Sequence, residues 1–306
     1  MSEEAAALSN ESAILLLAHG TPNALDEIPE YLKNVTGGRP LPESVIEEIR
    51  HRYSLIGTSP LTSLTIEQGQ LLSQKLGLPV YVGMRNWKPY IADTVRTMRE
   101  DGVTKFVAIC LAPQNSRTSV GLYKRAVLAE TGEMRVDFIE GWAEHPLLAD
   151  AFAERLRAVW NPGTPVLFTA HSVPTRTLQS TADADGDPYE AEARQTAAMV
   201  AERVGLAQDE WSFAFQSQGM SGGPWIGPTV EDTLTALRQQ DVEHVIVQPV
   251  GFLCDHVEIL YDIDIAFRNF AAHLGMELLR PESLNDSRLL TQALADLAQQ
   301  GLARLG

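Results

Sequence analysis

The sequence predicts an α/β chain built as a tandem pair of doubly wound domains, and three observations carry that prediction. Short apolar runs with strand character alternate with helical patterns throughout, the signature of parallel sheets with crossover helices. The runs fall into two successive sets of four. The residues just after equivalent runs also repeat: Ala18-His19-Gly20-Thr21-Pro22 after the first is echoed by Ala170-His171-Ser172-Val173-Pro174 after the fifth.

The first set occupies 14–18, 80–83, 106–111 and 136–139, and the second 166–170, 212–216, 245–250 and 276–279. Each is apolar, flanked by turn residues and short enough for a strand. After the second strand of each set a Trp and a Pro lead into a helix: Trp87 and Pro89 before Asp93-Thr94, then Trp225 and Pro228 before Asp232-Thr233. These matches in register imply two domains, 1–148 and 149–306, with the boundary near 146–150. The competing arrangement is one long α/β sheet. The tail after Leu289 reads as an amphipathic helix, with Leu290, Leu294, Leu297, Leu302 and Leu305 on or near one stripe, packing back on the body as part of the second domain.

The bulk properties narrow the function. The 306 residues, 44% hydrophobic and 21% charged, suffice for two compact cores. A formal charge of −16 argues against nucleic acid and against an anionic membrane surface, since both need clustered Lys and Arg. No apolar stretch reaches the roughly 18 residues of a membrane span, and the N-terminus is acidic rather than basic, so a cytoplasmic protein without membrane insertion is expected. The two cysteines, Cys110 and Cys254, each lie in an apolar run and read as buried thiols that cannot hold an iron–sulfur cluster or a structural zinc.

In doubly wound sheets function collects at the carboxyl ends of the strands, where strand order reverses. His19 and His171 sit at equivalent ends, so pseudo-symmetry places them on opposite walls of a cleft that a flat ligand could enter. His51, His145, His244 and His273 have no such counterpart and are read as structural or exposed. Phosphate-cradling glycine motifs, Gly-x-Ser-x-Gly and His-Glu-x-x-His are absent, which leaves histidine with carboxylate. Read as one helix, the segment after the seventh strand puts Asp255, Glu258 and Asp262 on a single face. Such a stripe is ordinarily a solvated face. At a strand's carboxyl end beside an imidazole, its oxygens suit a divalent transition metal handled transiently. A neutral imidazole near pH 7 is expected of His171.

Several long motifs then resemble the ferrochelatases: Thr169-Ala170-His171-Ser172-Val173-Pro174, Gln216-Ser217 followed by Pro224-Trp225-Ile226-Gly227-Pro228, and Pro249-Val250-Gly251-Phe252 leading to Asp255-His256-Val257-Glu258 with Leu260-Tyr261-Asp262. Gly20-Thr21-Pro22, Arg52-Tyr53 with Ser59-Pro60-Leu61, and Ala112-Pro113-Gln114 with Ser119-Val120 extend the likeness over nearly the whole chain. The resemblance implies two Rossmann-like domains with four-stranded parallel sheets facing each other across a porphyrin cleft, in the manner of class II chelatases. It implies a lyase of haem biosynthesis that inserts Fe(II) into a porphyrin with release of two protons. His171 and Glu258 would be the catalytic and metal-contacting pair, and Asp262 a proton or metal relay. His19, Arg52, Tyr53, Ser59, Tyr123, Trp225 and His256 would line the porphyrin site, with Arg52 a propionate contact. Fe(II) enters as substrate and no cofactor stays bound. The expected partners are the porphyrin and the haem product, for a monomeric protein.

Three departures from soluble relatives stand out. His19 replaces a tyrosine and is a candidate axial ligand of the product iron. An arginine near Thr36 is missing, with Arg39 the candidate replacement. The acidic ladder ends at Ala266, and Asn86 stands where some relatives carry histidine. The alternatives are a cobalt or nickel chelatase of a sirohydrochlorin-type ring and a non-enzymatic haem-binding or haem-delivery protein. Coproporphyrin III is favoured over protoporphyrin IX as substrate.

Overall fold

A computed structural model describes residues 11–179, 186–219 and 223–306; the acidic stretch 1–10 lies outside them. The first sheet holds β1 (Ser12–Ala18), β2 (Val80–Met84), β3 (Lys105–Cys110) and β4 (Arg135–Ile139) in the order β2-β1-β3-β4, all parallel. The second holds β5 (Val166–His171), β6 (Trp211–Gln216), β7 (His244–Pro249) and β8 (Glu277–Leu279) in the order β6-β5-β7-β8, again all parallel. The eight expected strands are therefore present, in two sheets of identical topology. A single long sheet is excluded.

Helices cover both faces of each sheet, which is why the inner strands read as unbroken apolar runs: Ala13 to Leu17 are fully buried, as are Val166, Leu167, Phe168 and Ala170. In the first half these helices include α1 (Ile28–Val35), α2 (Glu43–Ile56), α3 (Leu61–Leu76), α4 (Ile91–Glu100) and α5 (Val120–Leu128). The second has α6 (Pro146–Arg157), α7 (Thr175–Leu178), α8 (Tyr189–Val204), α9 (Val230–Arg238), α10 (Val257–Leu260), a π-helical turn (Asp262–Phe267) and α11 (Arg268–His273). Among the described residues no helix is long and apolar enough to cross a membrane.

The duplication extends to the Trp-Pro turns. Met84 N–H donates to the Pro89 carbonyl at 2.7 Å, and Phe215 N–H to the Pro228 carbonyl at 2.8 Å, each across a cis X-Pro turn. Both turns return the chain to the carboxyl end of the second strand.

The chain divides into two compact units, one of Met1–Pro113, Ser119–Trp142 and Asn285–Gly306 and the other of Gln114–Thr118 and Ala143–Leu284. This departs from the expected domains 1–148 and 149–306 in two places. The C-terminal helix α12 (Arg288–Leu305) belongs to the first unit, where it packs on α3, β3 and β4. Its stripe of leucines announces a buried face but not which body receives it. The receiving surface is shaped for it: a Cβ on Gly301 would lie 2.7 Å from Val107 and Asp137, and Arg304 grips Asp137 at 2.7 and 3.2 Å. Conversely, 114–118 belongs to the second unit, where the Gln114 amide donates to the Val250 carbonyl at 3.1 Å and Asn115 N–H to Glu192 at 2.6 Å.

Candidate active site

In the second unit β5 is the central strand, and His171 is its last residue. The ring is oriented by its Nδ1–H, which donates to the Ser172 carbonyl, and this leaves Nε2 3.4 Å from Glu258 Oε1. The backbone beneath is pinned as well. Tyr189, buried on α8, donates its hydroxyl to the His171 carbonyl at 2.8 Å. Gly251 passes so close to Ala170 that a Cβ there would sit 2.8 Å from the Ala170 Cβ. Phe252 packs its ring 6.4 Å from His171 and 4.9 Å from His256.

Glu258 lies in the single turn of α10 with an imidazole at each oxygen, since His256 Nε2 is 3.5 Å from Oε2. His256 is held in turn by Nδ1–H donation to the Cys254 carbonyl at 2.9 Å. The Gln216 amide clamps the Glu258 carbonyl at 2.8 Å while its oxygen accepts from Thr169 at 2.6 Å. Ser217, which adopts a left-handed conformation with φ 61°, donates its hydroxyl to Asp262. A non-glycine residue held there costs about 1–3 kcal/mol, and such strain persists where surrounding contacts fix it.

The expected single acidic face on one helix is not what forms. His256 is fully extended, α10 spans four residues, and the chain then widens into a π turn in which Ala266 N–H reaches the Tyr261 carbonyl at 2.9 Å. Asp255, outside the helix, turns away to Ser283 at 2.7 Å and Arg280 at 3.4 Å. Of the three carboxylates, Glu258 and Asp262 face the site and Asp255 is part of a structural ion pair.

The electrostatics correct a second expectation. Burial alone would push the His171 imidazole down, but the Glu258 carboxylate, the Ser172 carbonyl and Asp262 outweigh it and raise the group to about 9. Burial likewise opposes the charge on Glu258, and His171 with His256 overcomes it, holding the carboxyl well below its usual range. The resting pair at pH 7 is imidazolium and carboxylate, not a neutral base.

In the first unit His19 follows β1, and its Nε2 is 3.1 Å from the Tyr31 hydroxyl, with the Asn86 amide nitrogen 3.1 and 3.2 Å from the two ring nitrogens. Tyr53 is buried and hydrogen-bonds Thr21 at 3.0 Å; Ser59 Oγ is buried and finds no hydrogen-bond partner among the described residues. Arg52 pairs with Glu48 at 3.0 Å along α2, and Arg39, exposed, donates to the Thr36 carbonyl at 3.1 Å. Tyr123 sits in the core under the Arg85 guanidinium, 5.2 Å from its centroid, rather than at a surface. Trp225 bridges to Pro174, three residues beyond His171. His171, Glu258, His256 and Asp262 are thus brought together in one unit.

Tyr189, Phe252 and the Gln216 clamp were not singled out from sequence. The first lies in a helix with no motif, and the other two, though quoted in motifs, carry no charge or metal affinity to mark them. Arg280, just after β8, was missed because it too lies in no motif.

A histidine–carboxylate pair at the carboxyl end of a central strand in a parallel α/β fold is a site suited to a divalent metal ion. SirB from Bacillus subtilis with Fe3+ shares the fold with a TM-score of 0.61 at 12% identity, over 96% of this chain and 97% of that one. The ferrochelatase family model matches residues 11–302, and the chain belongs to the ferrochelatase family: a metal chelatase, of the lyase class, in haem biosynthesis. The ferrochelatase of Acidobacterium capsulatum is 66% identical over 97% of each chain. That of Deinococcus radiodurans is 37% identical over 95% of this chain and 96% of its own. The coproporphyrin III ferrochelatase of Geobacillus kaustophilus is 31% identical over 96% and 97%.

Proposed function

We propose that this ferrochelatase handles Fe(II) and the pyrrole protons at His171 and Glu258, and that its substrate is coproporphyrin III. The observation that carries the first part is the His171–Glu258 pair at 3.4 Å, each side chain about one third exposed at 34% and 33%. A pair this open can exchange ligands, and its charge state depends on what approaches it.

At rest the carboxylate keeps the imidazole protonated. Fe(II) arriving at Glu258 cancels the field that raises His171 and adds positive charge of its own, so the imidazole, one third exposed, gives up its proton to water. The neutral ring then accepts a proton from a pyrrole nitrogen, and Asp262, steadied by Ser217, is the next acceptor outward. Two N–H bonds break, iron takes their place on the ring nitrogens, and two protons leave. Iron is substrate throughout. The porphyrin and the haem are the partners of the site.

The substrate assignment is supported by the relatives named coproporphyrin III ferrochelatase, which are 31–32% identical over 92–96% of the chain. Coproporphyrin III carries four propionates where protoporphyrin IX carries two, and Arg39 and Arg52 are candidate anchors for them. Anaerobic incubation with Fe(II) and each porphyrin in turn tests both parts. Multiple turnovers with a higher kcat/KM for coproporphyrin III are expected. Equal or reversed preference overturns the substrate assignment, and stoichiometric haem uptake without turnover overturns the catalytic one.

A further inference from the structure

Outside the histidine–carboxylate site, Arg280 of the second unit stands in a dense polar network, its side chain only 11% exposed. Its Nε and Nη2 take both oxygens of Asp264 at 2.8 and 2.7 Å, a planar fork on a carboxylate. Its Nη1 reaches Ser283 Oγ at 3.2 Å and lies 3.4 Å from Asp255, while Ser283 itself donates to Asp255 at 2.7 Å. Withdrawing a guanidinium from water is unfavourable unless it is paired and fully hydrogen-bonded, so the network favours one geometry.

What the network grips matters more than its strength. Asp255 and Asp264 bracket the short stretch that contains His256, Glu258 and Asp262. That stretch is not a regular helix: it has one α turn followed by a π turn, and π turns are rare enough to need tertiary support. Asp264 sits inside the π turn. We infer that Arg280 is a positioning residue, which by clamping Asp255 and Asp264 sets the π turn and thereby aims the Glu258 and Asp262 carboxylates at incoming iron.

Lysine would supply the charge but not the planar fork that takes both Asp264 oxygens while a third nitrogen faces Asp255. The inference rests on Glu258 being the iron-side carboxylate, and the test separates the two. Arg280→Lys, Arg280→Met and Asp264→Asn are compared with Glu258→Gln for steady-state Fe(II) insertion and for porphyrin affinity by fluorescence quenching. All three clamp variants should lose about 10–100-fold in kcat/KM for Fe(II), as is usual for residues that orient metal ligands, with porphyrin affinity within about twofold of wild type. Arg280→Lys and Asp264→Asn combined should lose little more than either alone. Arg280→Lys with wild-type kinetics, or parallel losses in iron and porphyrin parameters, overturns the positioning role. If Arg280→Met does not fold, Arg280→Lys and Asp264→Asn decide the matter. Full turnover by Glu258→Gln instead overturns the underlying assignment.

Discussion

His19 follows and His171 ends the equivalent central strands of two equivalent sheets, yet their surroundings differ in kind. His171 meets a carboxylate and is held as an imidazolium; His19 hydrogen-bonds the Tyr31 hydroxyl and the Asn86 amide. Topology duplicated the position, and the loops differentiated it. The segment after β7 supplies Gly251, Phe252, His256 and Glu258 around His171. After β3 the chain instead gives Gln114–Thr118 to the second unit. One duplicated scaffold thus sets a histidine beside a carboxylate at one strand end and beside a hydroxyl and an amide at the other.

Removing each histidine is the strongest test of that asymmetry. His171→Ala should lower Fe(II) insertion by about 10²–10⁴-fold, the usual worth of a positioned proton acceptor. His19→Ala should reduce it by less than about tenfold and cost about 1 kcal/mol of stability for the lost hydrogen bonds. Comparable kinetic losses would mean that the two ends share the proton chemistry. The ferric product complex adds a second reading. For His19 to bind iron axially, Nε2 must leave Tyr31, so altered absorption and resonance spectra in His19→Ala would assign it that ligand role, and unchanged spectra would remove it.

The fold was legible because it rests on local signals that add. Eight apolar runs fix the strands, and the repeated His and Trp-Pro segments fix the duplication. His171 and Glu258 were legible for another reason, since motif likeness places them in one site although 87 residues of sequence numbering separate them, and they meet at 3.4 Å. Three things were not legible. Periodicity assigns α12 an apolar face but says nothing of whether β3 and β4 or the second sheet will cover it. The stretch from Asp255 to Asp262 obeys an α-helical spacing on paper, but the extended backbone at His256 puts Asp255 outside the helix, where Ser283 and Arg280 hold it. Charge state was hidden too, because an imidazole's protonation depends on a carboxylate whose distance the sequence does not contain.

Backbone approach offers a weaker but cleaner test of the same comparison. Each strand end is crossed by a glycine: Gly20, at φ +81°, where a Cβ would lie 2.9 Å from Trp87 N, and Gly251, where it would lie 2.8 Å from Ala170. Gly251→Ala must displace β5 or its own loop next to His171. Misplacement on the scale of an ångström should cost turnover about 10²-fold. Gly20→Ala should destabilise by about 1–3 kcal/mol through strain and overpacking while the folded fraction keeps most of its turnover. Circular-dichroism melts with turnover per folded molecule separate the two effects, and a Gly251→Ala enzyme that is merely less stable would detach the strand end from catalysis.

The smallest expected effect is the pH dependence of stability at the charged end. The His171 pKa is raised to about 9 against about 6.5 for an unfolded histidine, so its contribution is fully present below about 6.5 and is lost as pH rises through about 9. The Glu258 pKa is lowered, so its contribution is present above about 4.3 and is lost as pH falls through the folded value. Both describe one interaction, which is therefore at full strength between about pH 4.5 and 6.5. With each partner about one third exposed, at 34% and 33%, solvent screening keeps its worth near 1 kcal/mol or less. Glu258→Gln should therefore melt about 2–4 °C below wild type at most near pH 6, with the two curves converging above pH 9. Curves that stay parallel across that range would mean that the pair contributes packing rather than charge, and that the imidazole at the end of β5 is uncharged in the folded protein.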